Sequence, residues 1–151
     1  MRSFVEFVSW PSAIAEKEAR PTINFCILGS DPYGKLLDST ILGHSFGDRR
    51  GVIVRGRRLE DLGVCNVLFI GKSDEKNEDN ILQKLRGKDV LTISDTNGFA
   101  ARGGMIQFVR EKDHLGFLIN VDAASRAGLK INASLLALAQ IVHDGPAKGA
   151  P

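Results

Sequence analysis

The most suggestive spacing in the sequence is Gly29-Ser30-Asp31-Pro32-Tyr33-Gly34-Lys35. It matches the Gly-x-x-x-x-Gly-Lys pattern of a phosphate-binding loop, in which backbone N–H groups cradle the anion and the lysine reaches its terminal phosphates. Three residues argue against that chemistry. Leu36 stands where a hydroxyl would ligate magnesium, Pro32 removes a backbone donor, and Asp31 puts a negative charge in the cradle. The plainer reading is a strand-to-helix turn capped by Asp31, with Pro32 at the first helical position.

The other candidates are weaker still. Ser94 lacks the Gly-x-Ser-x-Gly elbow of a nucleophilic serine. His44, His114 and His143 are scattered, and neither His-x-x-x-His nor Cys-x-x-Cys occurs, so all three read as surface residues. Asp95 and Asp122 fall near expected strand ends, where α/β sheets place ligands, but capping and turn roles explain them equally well. Arg49, Arg50, Arg55, Arg57 and Arg58 form a basic stretch with no aromatic residue for base stacking and with acids close behind at 60–61 and 74–79. They read as the solvated flanks of a short edge strand. No catalytic constellation emerges, and nothing calls for a metal or a cofactor.

The richest local signal is the segment 94–106. Gly98, Gly103 and Gly104 imply unusual backbone angles or close approach, and Phe99 interrupts a stretch of otherwise small and polar residues. A phenylalanine there is either a plug into the local core or an exposed anchor for a partner.

The elements that must position these residues alternate. Phe4, Val5, Phe7 and Val8 suit one face of a short helix stopped by Pro11. Residues 22–28 read as a buried strand, and Leu36, Leu37 and Ile41 as a helical stripe ended by Gly43. Strands are expected at 52–54, 64–70 and 90–94, with a helix over 72–86. Residues 105–110 and 115–121 form a hairpin, and 122–127 give a turn or two of helix. Ile131, Leu135, Leu138 and Val142 mark a last amphipathic helix. The order predicts an α/β domain: a mostly parallel sheet with helices on both faces and a C-terminal antiparallel hairpin at one edge. One domain spans 1–143, and 144–151 reads as a disordered tail.

Composition bounds the classes. The 151 residues, 43% hydrophobic and 25% charged, suit one globular domain with a core. A net charge of +2 gives no global drive toward nucleic acid or anionic lipid. No apolar run is long enough to span a membrane. Glu6 and Ser9 break the apolar run that an export signal would need, so none is read in residues 1–11.

The string Ser94-Asp95-x-x-Gly98-Phe99-x-x-x-Gly103-Gly104-Met105-Ile106-x-Phe108-Val109, followed by Phe117-x-Ile119-Asn120-Val121-x-Ala123-Ala124-x-x-Ala127-Gly128-Leu129, resembles the YfiR family of periplasmic regulators. Phe7-Val8-x-Trp10-Pro11, the run from Asn24 through Gly34, and Cys65-Asn66-Val67-Leu68-Phe69-Ile70 extend the resemblance to about residues 4–143. It implies a non-enzymatic role: a periplasmic protein that binds and inhibits the sensing region of an inner-membrane diguanylate cyclase, controlling cyclic di-GMP and biofilm formation. It also implies an outer-membrane lipoprotein as a second partner, homodimers, and an export signal outside the sequence as written. A second cysteine pair found toward the C-terminal half of some members is absent. On this reading Phe99, Arg102, Gly103, Gly104, Met105 and Asn120 become partner-binding candidates. The family places a cysteine pair at the positions of Cys26 and Cys65, and an oxidising compartment implies a disulfide between them. Two rival readings are a small-molecule-binding sensor of the same fold with its pocket near Phe99, and an enzyme, either an NTPase built on Lys35 or a thiol oxidoreductase.

Overall fold

The computed structural model describes residues 8–9, 22–30, 38–39, 45–46, 49–86, 88–111 and 114–143. The expected helical stripe at Leu36, Leu37 and Ile41, most of the first helix, the hairpin tip and the tail at 144–151 lie outside them.

Runs of β-branched, aliphatic and aromatic residues build the sheet. Its strands are β2 (Thr22–Leu28), β3 (Ser45–Phe46), β4 (Arg49–Gly56), β5 (Val67–Ile70), β6 (Leu91–Ser94), β7 (Ile106–Glu111), β8 (His114–Asn120) and β10 (Gln140–Val142). They lie in the order β10-β8-β7-β6-β5-β2-β4-β3. Strands β4, β2, β5, β6 and β7 run parallel, while β7 and β8 form an antiparallel hairpin that pairs Ile106 with Ile119 and Phe108 with Phe117. This is the expected α/β architecture with its hairpin toward one end. Two short strands lie outside the expected ones: β3 flanks β4 and β10 flanks β8. Strand β4 is therefore longer than the expected 52–54 and is not the edge.

Side chains alternate across the sheet. Ile23, Phe25, Ile27, Val67, Phe69, Leu91, Ile93, Ile106 and Ile119 join one apolar cluster. Cys26, Leu28, Leu68 and Ile70 join a second, on the opposite face, together with Phe99 and Ile81. Two sandwiched faces explain why β5 is buried at all four positions.

The helices follow their caps. Residues 72–86 are not one helix: a 3-10 segment, Lys72–Asn77, precedes α1 (Glu78–Leu85), with Asp74 at φ −107, ψ 17 breaking the α geometry. Helix α2 (Val121–Arg126) starts at Asn120, whose side chain accepts from Ala123 N.

The expected last helix is a correction. Only α3 (Ala133–Leu136) is helical; before it β9 (Lys130–Ile131) pairs antiparallel with β1 (Val8–Ser9), and after it β10 pairs parallel with β8. Asn132 starts α3 by accepting from Ser134 N, which fixes the helix two residues after the start of the apolar stripe. Residues Val8 and Ser9, expected in helix, are strand for the same pairing.

Candidate functional site

The face of the sheet opposite Leu91, Ile93 and Ile106 carries Thr92, Ser94, Gln107 and Asn120, each 4% exposed or less. Polar side chains this deep need partners, and the glycine loop over them supplies its backbone. Met105 N donates to Thr92 Oγ1 at 3.0 Å and Ala100 N to Gln107 Oε1 at 3.0 Å. Asn120 Nδ2 donates to Ala100 O at 2.8 Å. Three strand-borne groups, Thr92, Gln107 and Asn120, thus hold an irregular segment against the sheet and pair two of its amides and one of its carbonyls.

Beside them, the Glu78 carboxylate is fully buried at the start of α1. Thr96 Oγ1 donates to Glu78 Oε2 at 2.6 Å. The Ser94 hydroxyl lies 2.8 Å from Ile70 O, 3.1 Å from Glu78 Oε2 and 3.3 Å from Thr96 Oγ1. Arg102 Nη2 forms an ion pair with Glu78 Oε1. The N-terminal end of α1 favours a negative charge as well. Both carboxylate oxygens are taken, so Glu78 is a structural anchor for the loop rather than a poised base. Arg102 completes the clamp, donating from Nη1 to Asn97 O at 2.9 Å and pairing through Nε with Asp79 Oδ1 at 3.2 Å.

The partner-binding candidates therefore divide. Phe99 is fully buried and packs in the second apolar cluster, so it is the plug and not the exposed anchor. Met105, at 6% exposure, is part of the first cluster, and Asn120, fully buried, is a helix cap and loop tether. All three side chains are buried, as the sheet's polar face holds the loop down onto itself. Gly104 is buried, and a Cβ there would clash with the Phe99 ring, 2.2 Å from its Cε2. Gly98, at φ +79, faces Arg102 Nη1, which a Cβ would meet at 2.8 Å. Only Arg102 and Gly103 keep partial exposure. Together with Met105 they line a half-open cavity of about 240 Å³ between α1, the loop and α2.

The turn after β2 has no free anion cradle in its described part. Gly29 N donates to Gly56 O at 3.0 Å and Ser30 N to Ser73 Oγ at 2.8 Å; residues 31–37 lie outside the described set. In the basic stretch, Arg55 pairs with Asp38 at 2.8 Å and Arg58 with Asp61 at 3.3 Å. The hydrogen bond and charge of Asp61 raise the Arg58 pKa. His143 Nδ1 sits 3.3 Å from Asp122 Oδ1. His44 lies outside the described residues. Among those residues, no group of three or more His, Cys, Asp or Glu is placed to hold a metal ion.

Cys26 and Cys65 are disulfide-bonded, with Cα atoms 5.8 Å apart. The bond joins the middle of β2 to the segment leading into β5. Asn24 and Asn66 reinforce the same junction: Asn24 N donates to Asn66 Oδ1 at 2.8 Å, and Asn24 Nδ2 to Val64 O at 2.9 Å.

Sequence reasoning missed Glu78 and its clamp. The available signal was the polar alternation Thr92, Ser94, Gln107 and Asn120 among apolar strand residues, beside a glycine-rich loop. A comparison with protein families matches residues 1–140 to the model described as YfiR/HmsC-like.

Proposed function

The chain belongs to the YfiR/HmsC-like family, and on that premise we propose that it is a periplasmic regulatory protein that binds and inhibits the sensing region of an inner-membrane diguanylate cyclase. Release of that inhibition raises cyclic di-GMP and favours biofilm formation. The single observation that carries the reading is the family match, which spans nearly the whole chain. The disulfide suits an oxidising compartment, and no helix among the described residues is long and apolar enough to cross a membrane.

Regulation of this kind needs no reacting groups on the regulator. A protein that binds one conformational state of its partner more tightly shifts the partner's equilibrium by the ratio of the two affinities. What it needs is a surface of fixed shape. The glycine loop is such a surface, since Thr92, Gln107 and Asn120 hold its backbone from below, Glu78 holds the Arg102 side chain, and Arg102 and Gly103 stay partly exposed. Homodimer formation and sequestration by an outer-membrane lipoprotein belong to the same proposal.

Co-purification with the isolated periplasmic domain of a membrane diguanylate cyclase from the same organism tests the reading. A complex is expected with the disulfide-bonded protein, and weaker binding with Arg102→Glu when the two are compared at equal folded concentration, since Arg102 also pairs with buried Glu78. Absence of a complex in both redox states sinks it.

A further inference from the structure

We infer that the cavity between α1, the glycine loop and α2 binds a small amphipathic anion: a carboxylate on a compact apolar body. The inference does not depend on which membrane protein is regulated.

Three cations line this cavity, Arg86, Arg102 and Arg126, against one acid, Asp79. Asp79 is itself paired with Arg102. Arg102 is held in place by Glu78, Asp79 and Asn97 O, and its charge is offset by those two carboxylates, so Arg86 is the cation that meets the anion, with Arg126 beside it at the same mouth. Arg86 follows the last residue of α1 and makes no side-chain hydrogen bond or ion pair among the described residues. A guanidinium fork matches the two oxygens of a carboxylate, and charge assistance strengthens both bonds. Arg86 and Arg126 are exposed, which puts the anion at the mouth.

The cavity also has an apolar floor. Leu85, Val90, Met105 and Ala127 line it, and the last three are 8% exposed or less. A patch of this kind with cations at its mouth is the usual build of a small-molecule site: apolar walls for affinity and a few polar groups for orientation. Size sets the ligand. An apolar cavity of about 150 Å³ takes benzene, so the 240 Å³ here holds one ring with a short acid arm.

Titration calorimetry and thermal shift on the full, disulfide-bonded chain test this with three probes. They are 3-phenylpropionate, its uncharged amide, and inorganic phosphate. The acid is expected to bind and to raise the melting temperature, since it binds only the native state. The amide and phosphate are each expected to bind at least about tenfold more weakly, corresponding to about 1.4 kcal/mol. Arg86→Gln with Arg126→Gln is expected to weaken the acid to the level of its amide. Unchanged melting of the ligand-free variant checks its fold, and Arg86→Gln alone, at an exposed position, serves if the pair does not fold. The inference is overturned if the acid does not bind, if amide or phosphate binds as well as the acid, or if the variant binds the acid like the parent. Cyclase inhibition is measured without any of these probes, so failure here leaves the regulatory reading standing.

Discussion

Arg102 and Glu78 form an ion pair in which the carboxylate is wholly buried and the guanidinium is one-third exposed. The pair joins the first residue of α1 to the glycine loop 24 residues later, and it makes the loop's outer face a fixed shape. Removing one partner strands the other. Breaking a buried pair costs about 3–5 kcal/mol, and the exposure of Arg102 places this one at the lower end. Arg102→Gln is expected to lower unfolding stability by about 3 kcal/mol in urea titration. Glu78→Gln in the same chain is expected to recover part of the loss, because no uncompensated charge then remains; additive losses would contradict the clamp.

Gly104 and Phe99 cannot both carry side chains. Gly104→Ala forces the buried ring aside, and overpacking of this kind costs about 1–3 kcal/mol. The melting temperature is expected to fall accordingly, by roughly 2–4 °C per kcal/mol for a domain of this size. Phe99→Ala is expected to cost about 3–5 kcal/mol through the cavity it leaves. Its effect on partner binding is expected to follow the folded fraction measured by circular dichroism. A loss of binding in fully folded Phe99→Ala would return Phe99 to the interface.

Asn120 does two jobs, capping α2 through Ala123 N and tethering the loop through Ala100 O. Asn120→Ala removes both, leaving Ala100 O with Gly103 N alone and Ala123 N without its cap acceptor, a loss of about 2–3 kcal/mol. Hydrogen exchange is expected to quicken at the amides of both the loop and the first turn of α2. Quickening at only one of them would show that the tether and the cap act separately.

The disulfide closes a loop across 39 positions. In the chain-entropy model such a loop contributes about 4 kcal/mol, or roughly 10 °C in melting temperature. Calorimetry with and without reductant, and on Cys26→Ser with Cys65→Ser, is expected to show that drop in both cases. A reduced protein that melts unchanged would mean the Asn24–Asn66 junction holds β2 to β5 unaided.

The sheet was legible because its strands are written locally. Phe25 to Leu28 and Val67 to Ile70 are continuous apolar runs, and a run buried on both faces belongs to a covered parallel sheet. The last element was not legible for the opposite reason. Ile131, Leu135, Leu138 and Val142 repeat at helical spacing, yet Ile131 pairs with Val8 and Val142 pairs with Asn120. Both partners are set by chain distant in sequence, and Leu138 is left 74% exposed. Glu78 was hidden similarly. An acid in a helix's first turn reads as a dipole complement; its burial depends on Ser94, Thr96 and Arg102, which arrive only when β6 and the loop fold over it. Phe99 was an open choice in sequence because plug and anchor have the same composition. The disulfide came from family resemblance, since two cysteines alone do not fix a compartment.

The most direct test of the regulatory account is cyclic di-GMP synthesis by the full-length membrane diguanylate cyclase that the protein co-purifies with, reconstituted in vesicles with its sensing region accessible, as disulfide-bonded protein is added. Synthesis is expected to fall in a saturable way toward a 1:1 ratio of regulator to cyclase protomer, and to fall less with Arg102→Glu at equal folded concentration. Unchanged synthesis at saturating protein would contradict the account.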